Sequence, residues 1–211
     1  ASITITTLPV ATFSYANNPF CSTANDPSPA LNGAAGTFTA SAVGLSITAG
    51  TGVVDISASA AGTYTVTNTI VAAGGCVQVV ATSGIVITTL PVATFNYANT
   101  PYCSTAGDPS PTFTNGGVAG AFTAGNGLVF VDAALGSVDI SASTAGTYTV
   151  TNTIVAANGC AQVVATSSIV ITTLPVATFS YTGTPYCSND SDPSPTYGGA
   201  GVAGAFTANG A

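Results

Sequence analysis

Val54–Cys76 reads VDISASAAGTYTVTNTIVAAGGC, and Val138–Cys160 returns as VDISASTAGTYTVTNTIVAANGC. Over these 23 positions only two residues differ, Thr144 standing for Ala60 and Asn158 for Gly74. A copy this faithful means tandem repetition, and the repeat governs how every other segment is read. Within it, Thr63–Ala72 alternates in the manner of a half-buried strand: Tyr64, Val66 and Ile70 point one way and four threonines the other. Asn68 falls on the apolar side, which suits a hydrogen-bonded amide in or at the edge of a core.

Working outward, TTLPVATF at Thr6–Phe13 recurs at Thr88–Phe95 and Thr172–Phe179, offsets of 82 and 84 residues. This divides the chain into residues 8–89, 90–173 and an incomplete third copy over 174–211. The opening ASITIT resembles Ser83–Thr88 (SGIVIT), so residues 1–7 read as the end of a preceding repeat, as if the chain were part of a longer array. Inside repeat 1, Val10–Ala16 is an expected strand with Ala11, Phe13 and Tyr15 on one face. Asn17–Pro29, rich in Pro, Asn and Ser, is expected as an irregular connection. Short strands are expected at Ala30–Asn32, Gly36–Ser41, Gly44–Ile47 and Val53–Ser57, with a turn at Ala49–Gly52. Cys76–Thr88 completes the set as a long last strand with Val77, Val79, Ala81, Ile85 and Ile87 on one face.

About seven short strands in some 82 residues, mostly joined by hairpins, describe a small Greek-key β-sandwich. The expected fold class is therefore all-β: tandem Ig-like sandwiches stacked end to end. Leu8-Pro9, Leu90-Pro91 and Leu174-Pro175 leave only a short linker with φ fixed at proline, which limits bending. Strands of this length give about 40 Å per domain.

Composition narrows function. The 211 residues include seven acidic side chains, no Lys, Arg or His, and only 3 % charged residues. Without cations to neutralise phosphate, nucleic-acid binding is excluded as an expectation. No run of about 18 apolar residues is present to insert in a membrane, and no basic leader is read in this stretch. Serine triads lack their histidine, a phosphate loop lacks its lysine, and the seven carboxylates are dispersed, so no catalytic residue is expected and the chain is read as a non-enzyme. No cofactor is expected either. Asp-Pro-Ser-Pro at Asp26–Pro29, Asp108–Pro111 and Asp192–Pro195 raises calcium, which takes six to eight oxygens, but turn initiation by Asp explains it as well. Asn189-Asp190-Ser191 fits a glycosylation acceptor that the other copies lack. Phe20, Tyr102 and Tyr186, each beside an early cysteine, could stack on a sugar or pack over a disulfide.

Cys21, Cys76, Cys103, Cys160 and Cys187 recur in phase with the repeat and form no C-x-x-C pair, which favours disulfides outside the cell. The expected pairing is internal, Cys21–Cys76 and Cys103–Cys160, leaving Cys187 without a partner in this chain. An early cysteine joined to the late cysteine of the next repeat, Cys21–Cys160, is the alternative. Cys76–Cys103 is disfavoured by the extended strands between them.

Gly44-Leu45-Ser46-Ile47, Thr51-Gly52-Val53-Val54 and Ala61–Val66 (AGTYTV) resemble bacterial Ig-like and cadherin-like repeats; repeat 2 keeps only the outline in its middle, at Gly127–Phe130 and Leu135–Val138. The early PFC or PYC (Pro19–Cys21, Pro101–Cys103, Pro185–Cys187) and late GGC or NGC (Gly74–Cys76, Asn158–Cys160) are similar to repeats of very large surface proteins of Bacteroidetes-type bacteria, including gliding adhesins exported by the type IX route. The resemblance implies that Tyr64 and Tyr148 act as tyrosine corners. It also implies an extracellular, cell-surface fibre or stalk. Self-association into filaments is expected of Val- and Thr-rich edges without lysine. Surface glycans or other cells are the further expected partners, with an adhesive or carbohydrate-binding module as the alternative.

Overall fold

A computed structural model describes residues 1–208; residues 209–211, the end of the expected third repeat, lie outside it. Its described residues hold eighteen short strands and no helix. The all-β class read from the threonine- and valine-rich sequence is the observed one.

The first unit contains β1 (Phe13–Ser14), β2 (Phe20–Cys21), β3 (Ala30–Leu31), β4 (Thr37–Ala40), β5 (Ser46–Ile47), β6 (Val54–Asp55), β7 (Gly62–Ile70) and β8 (Val79–Thr88). β7 and β8 form its spine, an antiparallel ladder running from Gly62 opposite Ile87 to Ile70 opposite Val79. β4 joins the far edge of β7 antiparallel, with Phe38 opposite Asn68. β2 joins the far edge of β8 in parallel, with Phe20 opposite Ile87. The facing layer consists of the β1–β3 and β5–β6 pairs, tied together where Val54 N–H donates to the Pro27 carbonyl at 3.1 Å. This order, with the first strand shared between the two layers, is the Ig-like Greek key.

Alternation decides what is buried. Along β7 and β8 the inward set Tyr64, Val66, Ile85 and Ile87 lies in the core with Phe13, Tyr15, Phe38, Val54 and Ile56. The rings of Phe13 and Phe38 meet edge to face at 5.3 Å. Each fully buried Val or Ile contributes about 1.5–3 kcal/mol relative to exposure. Asn68 is fully buried among them. Its Nδ2 donates to the Ala11 and Ala34 carbonyls at 2.9 and 3.1 Å, and its Oδ1 accepts from Gly36 N–H at 2.8 Å. The amide thus clips β7 to the chain entering β1 and β4, which is why a polar residue occupies an inward position.

Two expectations need correction. Asn17–Pro29 is not wholly irregular, because it contains β2, which pairs with β8. The first strand is therefore split, and the chain changes layer at Asn17–Pro19, where Asn17 has φ 62° and the Asn18–Pro19 peptide is cis. That split gives eight segments where seven are expected. The last strand starts at Val79 rather than Cys76: a bridge between Ala73 and Cys76 closes a tight turn first, leaving Val77 exposed.

β9 (Phe95–Asn96), β10 (Tyr102–Cys103), β11 (Thr112–Phe113), β12 (Ala121–Ala124), β13 (Val129–Asp132), β14 (Ser137–Asp139), β15 (Gly146–Ile154) and β16 (Val163–Thr172) repeat the first unit strand for strand. Asn152 repeats the Asn68 clip on Ala93, Val118 and Gly120. Among its described residues the third copy holds the antiparallel pair β17 (Phe179–Ser180) and β18 (Thr196–Tyr197).

Candidate interface between repeats

The residues that carry most information outside the cores meet where the first unit touches the second. β2 ends in Cys21, and the β15–β16 turn of the second unit ends in Cys160. Their sulfurs are bonded, across 139 residues of sequence, with Cα atoms 4.6 Å apart. The expected internal staples Cys21–Cys76 and Cys103–Cys160 are therefore not formed. Within one unit the early cysteine lies at the end of β2, against the carboxyl end of β8. The late cysteine lies at the opposite, amino-terminal side of β8. A strand of ten residues at about 3.4 Å each separates them, far beyond the reach of a disulfide. The same geometry sends the early cysteine to the next unit's turn. Cys76, Cys103 and Cys187 are free thiols.

Around the bond, local chemistry makes close approach possible. Gly159 has φ +79°, and a Cβ built there would stand 2.0 Å from the Pro19 carbonyl oxygen of the first unit. Only glycine allows the turn to lie against the Pro19–Cys21 strand. Thr88, the last residue of β8, donates its hydroxyl to the Asn158 carbonyl at 2.7 Å. The same hydroxyl lies 3.3 Å from the Phe20 carbonyl and 3.5 Å from Cys160 Sγ. Cys21 and Cys160 are both buried. One threonine, one glycine and one disulfide thus fix the turn of one repeat to the parallel β2–β8 edge of its neighbour.

An equivalent half of this interface exists at the front of the first unit. Thr6 donates to the Gly74 carbonyl at 2.6 Å and lies 3.3 Å from Cys76 Sγ. Thr7 carbonyl sits 3.7 Å from that sulfur, as Thr89 carbonyl sits 3.6 Å from Cys160 Sγ. Gly75 keeps the left-handed φ of +84° yet has open space where Gly159 meets Pro19. A recess of about 290 Å³ between Thr6, Thr7, Pro9, Ile70, Ala73 and Cys76 matches one of about 230 Å³ between Thr88, Thr89, Pro91, Ile154, Ala157 and Cys160.

The remaining singled-out residues serve the fold. Tyr64 Oη donates to the Ala60 carbonyl at 2.9 Å and Tyr148 Oη to the Thr144 carbonyl at 2.8 Å, the bond geometry of a tyrosine corner. Asp26 and Asp108 each accept one backbone N–H, from Ile56 and Ile140. Asp55 is held below the usual carboxylate range by the Ser57 hydroxyl and the Ala58 N–H; Asp139 is lowered by the Ala142 N–H and the Ser141 hydroxyl. Among the described residues no three acidic, Cys or His side chains converge as a metal site. Phe20 is buried, and Tyr102 is half-buried with its hydroxyl donated to the Ala98 carbonyl. Phe20 therefore presents no open face to a sugar. Thr88 and Gly159 are the interface residues that sequence reasoning missed. Their signal was the retention of Thr-Thr-Leu-Pro in all three copies and of Gly before Cys in both turns, while the preceding position changed from Gly74 to Asn158.

No protein-family model and no curated protein matches the chain. Among solved structures it is similar to Drosophila N-cadherin EC1–4, at 11 % identity and TM-score 0.38, covering 79 % of this chain and 50 % of that one. It is similar also to a SusE-like surface-located polysaccharide-binding protein of Bacteroides thetaiotaomicron, at 16 % identity and TM-score 0.30, covering 84 % and 36 %. Mouse protocadherin-24 EC1–3 aligns at 13 % identity and TM-score 0.33 over 77 % and 66 %. The chain thus spans half or less of the first two.

Proposed function

We propose that this chain is a structural segment of a long, secreted cell-surface fibre built from Ig-like repeats, serving as a stalk or adhesin. The observation that carries the reading is the Cys21–Cys160 disulfide, which joins consecutive repeats rather than closing each on itself. A bond within a domain would serve that domain's stability; a bond between domains serves the geometry of the array. Supporting it are the proline linkers, the cysteine usage of an oxidising compartment and the tightly apposed Gly159–Pro19 contact. In this reading the chain works without catalysis, nucleic acid or a bound cofactor, and its partners are further copies of itself. The carbohydrate-binding alternative loses Phe20 as a stacking platform in repeat 1, since that ring lies in the core.

The test is imaging of the intact chain by negative-stain electron microscopy, oxidised and after reduction. Straight two-repeat rods in the oxidised sample and a widened distribution of bend angles after reduction are expected. Equal bending in both would refute the stalk reading.

A further inference from the structure

From Val54 to Cys76 the second repeat copies the first almost residue for residue, yet around the fifth strand of each unit the two diverge. β13 (Val129–Asp132) holds four residues where β5 (Ser46–Ile47) holds two. Val129 stands where the first unit has Ser46, since the N–H of each donates to an equivalent serine hydroxyl, Ser143 or Ser59, at 2.9 Å. Val131 is an added residue, the one that the register between β13 and β14 skips. Leu135 replaces Thr51, each lying just before a glycine packed on the core phenylalanine. Val129, Val131 and Leu135 are 40 %, 61 % and 58 % exposed. An apolar strip set on one copy of an otherwise faithful repeat marks a contact surface.

The strip borders an open edge. β13 pairs with β14 alone, so its other side has no neighbouring strand among the described residues. The Val129 N–H points to the β14 side, toward a Ser143 hydroxyl that is itself held by the Asp139 carbonyl at 2.6 Å. Val138, opposite Phe130, sends its N–H away to the Pro109 carbonyl at 3.0 Å. Phe130 and Val138 are thus a pair without mutual hydrogen bonds, and alternation turns the Phe130 N–H and carbonyl to the open side. A following repeat does not cover such an edge: at the β4–β5 connection of the first unit, Val43 is 99 % exposed with the second unit docked beside it. Beside Leu135 the strip meets a recess of about 460 Å³ whose walls include Ala121, Ala133 and Ala134. Ile154 and Val155 line both this recess and the one between the repeats, so the strip is continuous with the junction already described.

Resting on the fibre reading, we propose that β13 is the lateral contact of the fibre and that its occupant is β13 of a second copy. The two strands pair antiparallel about a two-fold axis at Phe130. The Phe130 N–H of each copy donates to the Phe130 carbonyl of the other, and Val129 lies opposite Val131 of the second copy on the exposed face, an apolar cross-strand pair. Charge favours this occupant. The one carboxylate of the strand, Asp132, turns its Oδ1 back onto the Ala134 and Leu135 N–H groups of its own turn, and antiparallel pairing sets the two Asp132 at opposite ends. The strip therefore suits an uncharged, apolar partner, which a second β13 is. The contact is isologous and closes on itself. Strands of a sandwich run within about 30° of one another, so it sets two fibres side by side with opposite polarity. Pairing stops at the bulge, and the buried area falls below the ~1,200 Å² of stable interfaces. Single chains therefore associate weakly and reversibly, and strength comes from many such contacts along two fibres.

The test is NMR of the intact oxidised chain from micromolar to millimolar concentration, with an equal mixture of methyl-labelled and unlabelled protein at the upper end. Shifts that grow with concentration at Val129–Val131 and stay flat at Ser46 and Ile47 are expected, together with an intermolecular methyl contact between Val131 and Val129. Val131→Asp, at a residue open to solvent in the single chain, should keep Cys21–Cys160 intact and weaken association by about tenfold or more, because each new carboxylate would be buried against a valine of the other copy. Val129→Ser, which installs the residue of the first unit, should weaken it less. Flat shifts at millimolar concentration would overturn the proposal. So would association centred on residues 174–208 or any other surface, or a Val131→Asp chain that associates as before. The stalk reading is judged separately, by bend angles before and after reduction: straight oxidised rods with a silent β13 leave it standing, and equal bending removes it whatever β13 does.

Discussion

Replacing Asn68 with alanine removes three hydrogen bonds at once, and the second repeat provides the control. The Ala11 carbonyl is left without its donor in a buried position; the Ala34 carbonyl and Gly36 N–H lose theirs at partly buried positions. A buried orphan costs about 1–3 kcal/mol, and a partly solvated one lies at the low end of that range. Taking about 2 for the first and about 1 for each of the others gives a loss of about 4 kcal/mol for repeat 1. Against a typical domain stability of about 5–15 kcal/mol, this brings the unit close to unfolding. Asn68→Leu restores volume but orphans the same three groups, so it should be nearly as damaging. The assay is amide hydrogen exchange by NMR, comparing β7 with β15, where Asn152 is untouched. Protection in β7 should fall by the full amount while β15 changes little. A loss below about 1 kcal/mol in both variants, against the roughly 1–3 kcal/mol expected of the single buried orphan alone, would refute the reasoning. An equal loss in β15 would do the same.

Gly159→Ala should block formation of Cys21–Cys160 in a redox buffer, because its Cβ would meet the Pro19 carbonyl at 2.0 Å; Gly75→Ala carries the same left-handed strain, about 1–2 kcal/mol, but no collision, so quantitative thiol labelling should find the bond intact there. Burial pushes the Tyr15 phenol up to about 12 and, with a smaller effect of Tyr102, raises that of Tyr97 further. Both phenols hold their proton more tightly folded than unfolded, so their stabilisation is complete below the ordinary value of about 10 and is lost as pH climbs from there towards and past the folded value. Phenolate absorbance should show these two titrating late, together with unfolding; eight tyrosines ionising in one step with the fold intact would contradict this. The Thr105 hydroxyl and N–H, the largest influences, hold the Cys103 thiol below its usual value, so Thr105→Ala should move the alkylation profile of Cys103 to higher pH. An unchanged profile would show that the hydroxyl does not stabilise the thiolate.

The cores were legible because alternation is a local property: Ala11, Phe13 and Tyr15, or Val66, Ile85 and Ile87, announce their inward face whatever they pack against. Asn68 could be placed as a core amide, though not its three partners, which come from segments up to 57 residues away. The division of the first strand was hidden, since a two-residue strand inside Asn17–Pro29 has no periodicity to detect. The cysteine pairing failed for a different reason. An internal staple follows from counting early and late cysteines in each repeat, but β8 holds its two ends far apart, and that distance exists only once strand direction is known. The interglycine position changed between copies while the glycine before cysteine stayed, a hint of close contact that composition alone does not convert into a partner.

Because the bond joins residue 21 to residue 160, tension on the chain would take a shortcut. A pull on the two ends reaches Cys21, crosses one sulfur–sulfur bond and leaves from Cys160, so the backbone between them carries no load. Those 139 residues correspond to roughly 470 Å of contour at full extension, stored behind a covalent link rather than behind hydrogen bonds. Most strands of both sandwiches lie inside that loop, and only the flanking segments can be drawn out. A stretched oxidised chain should lengthen little and then stop, whereas the reduced chain would release the hidden length. The same loop means that a protease cut anywhere between the two cysteines leaves both halves attached.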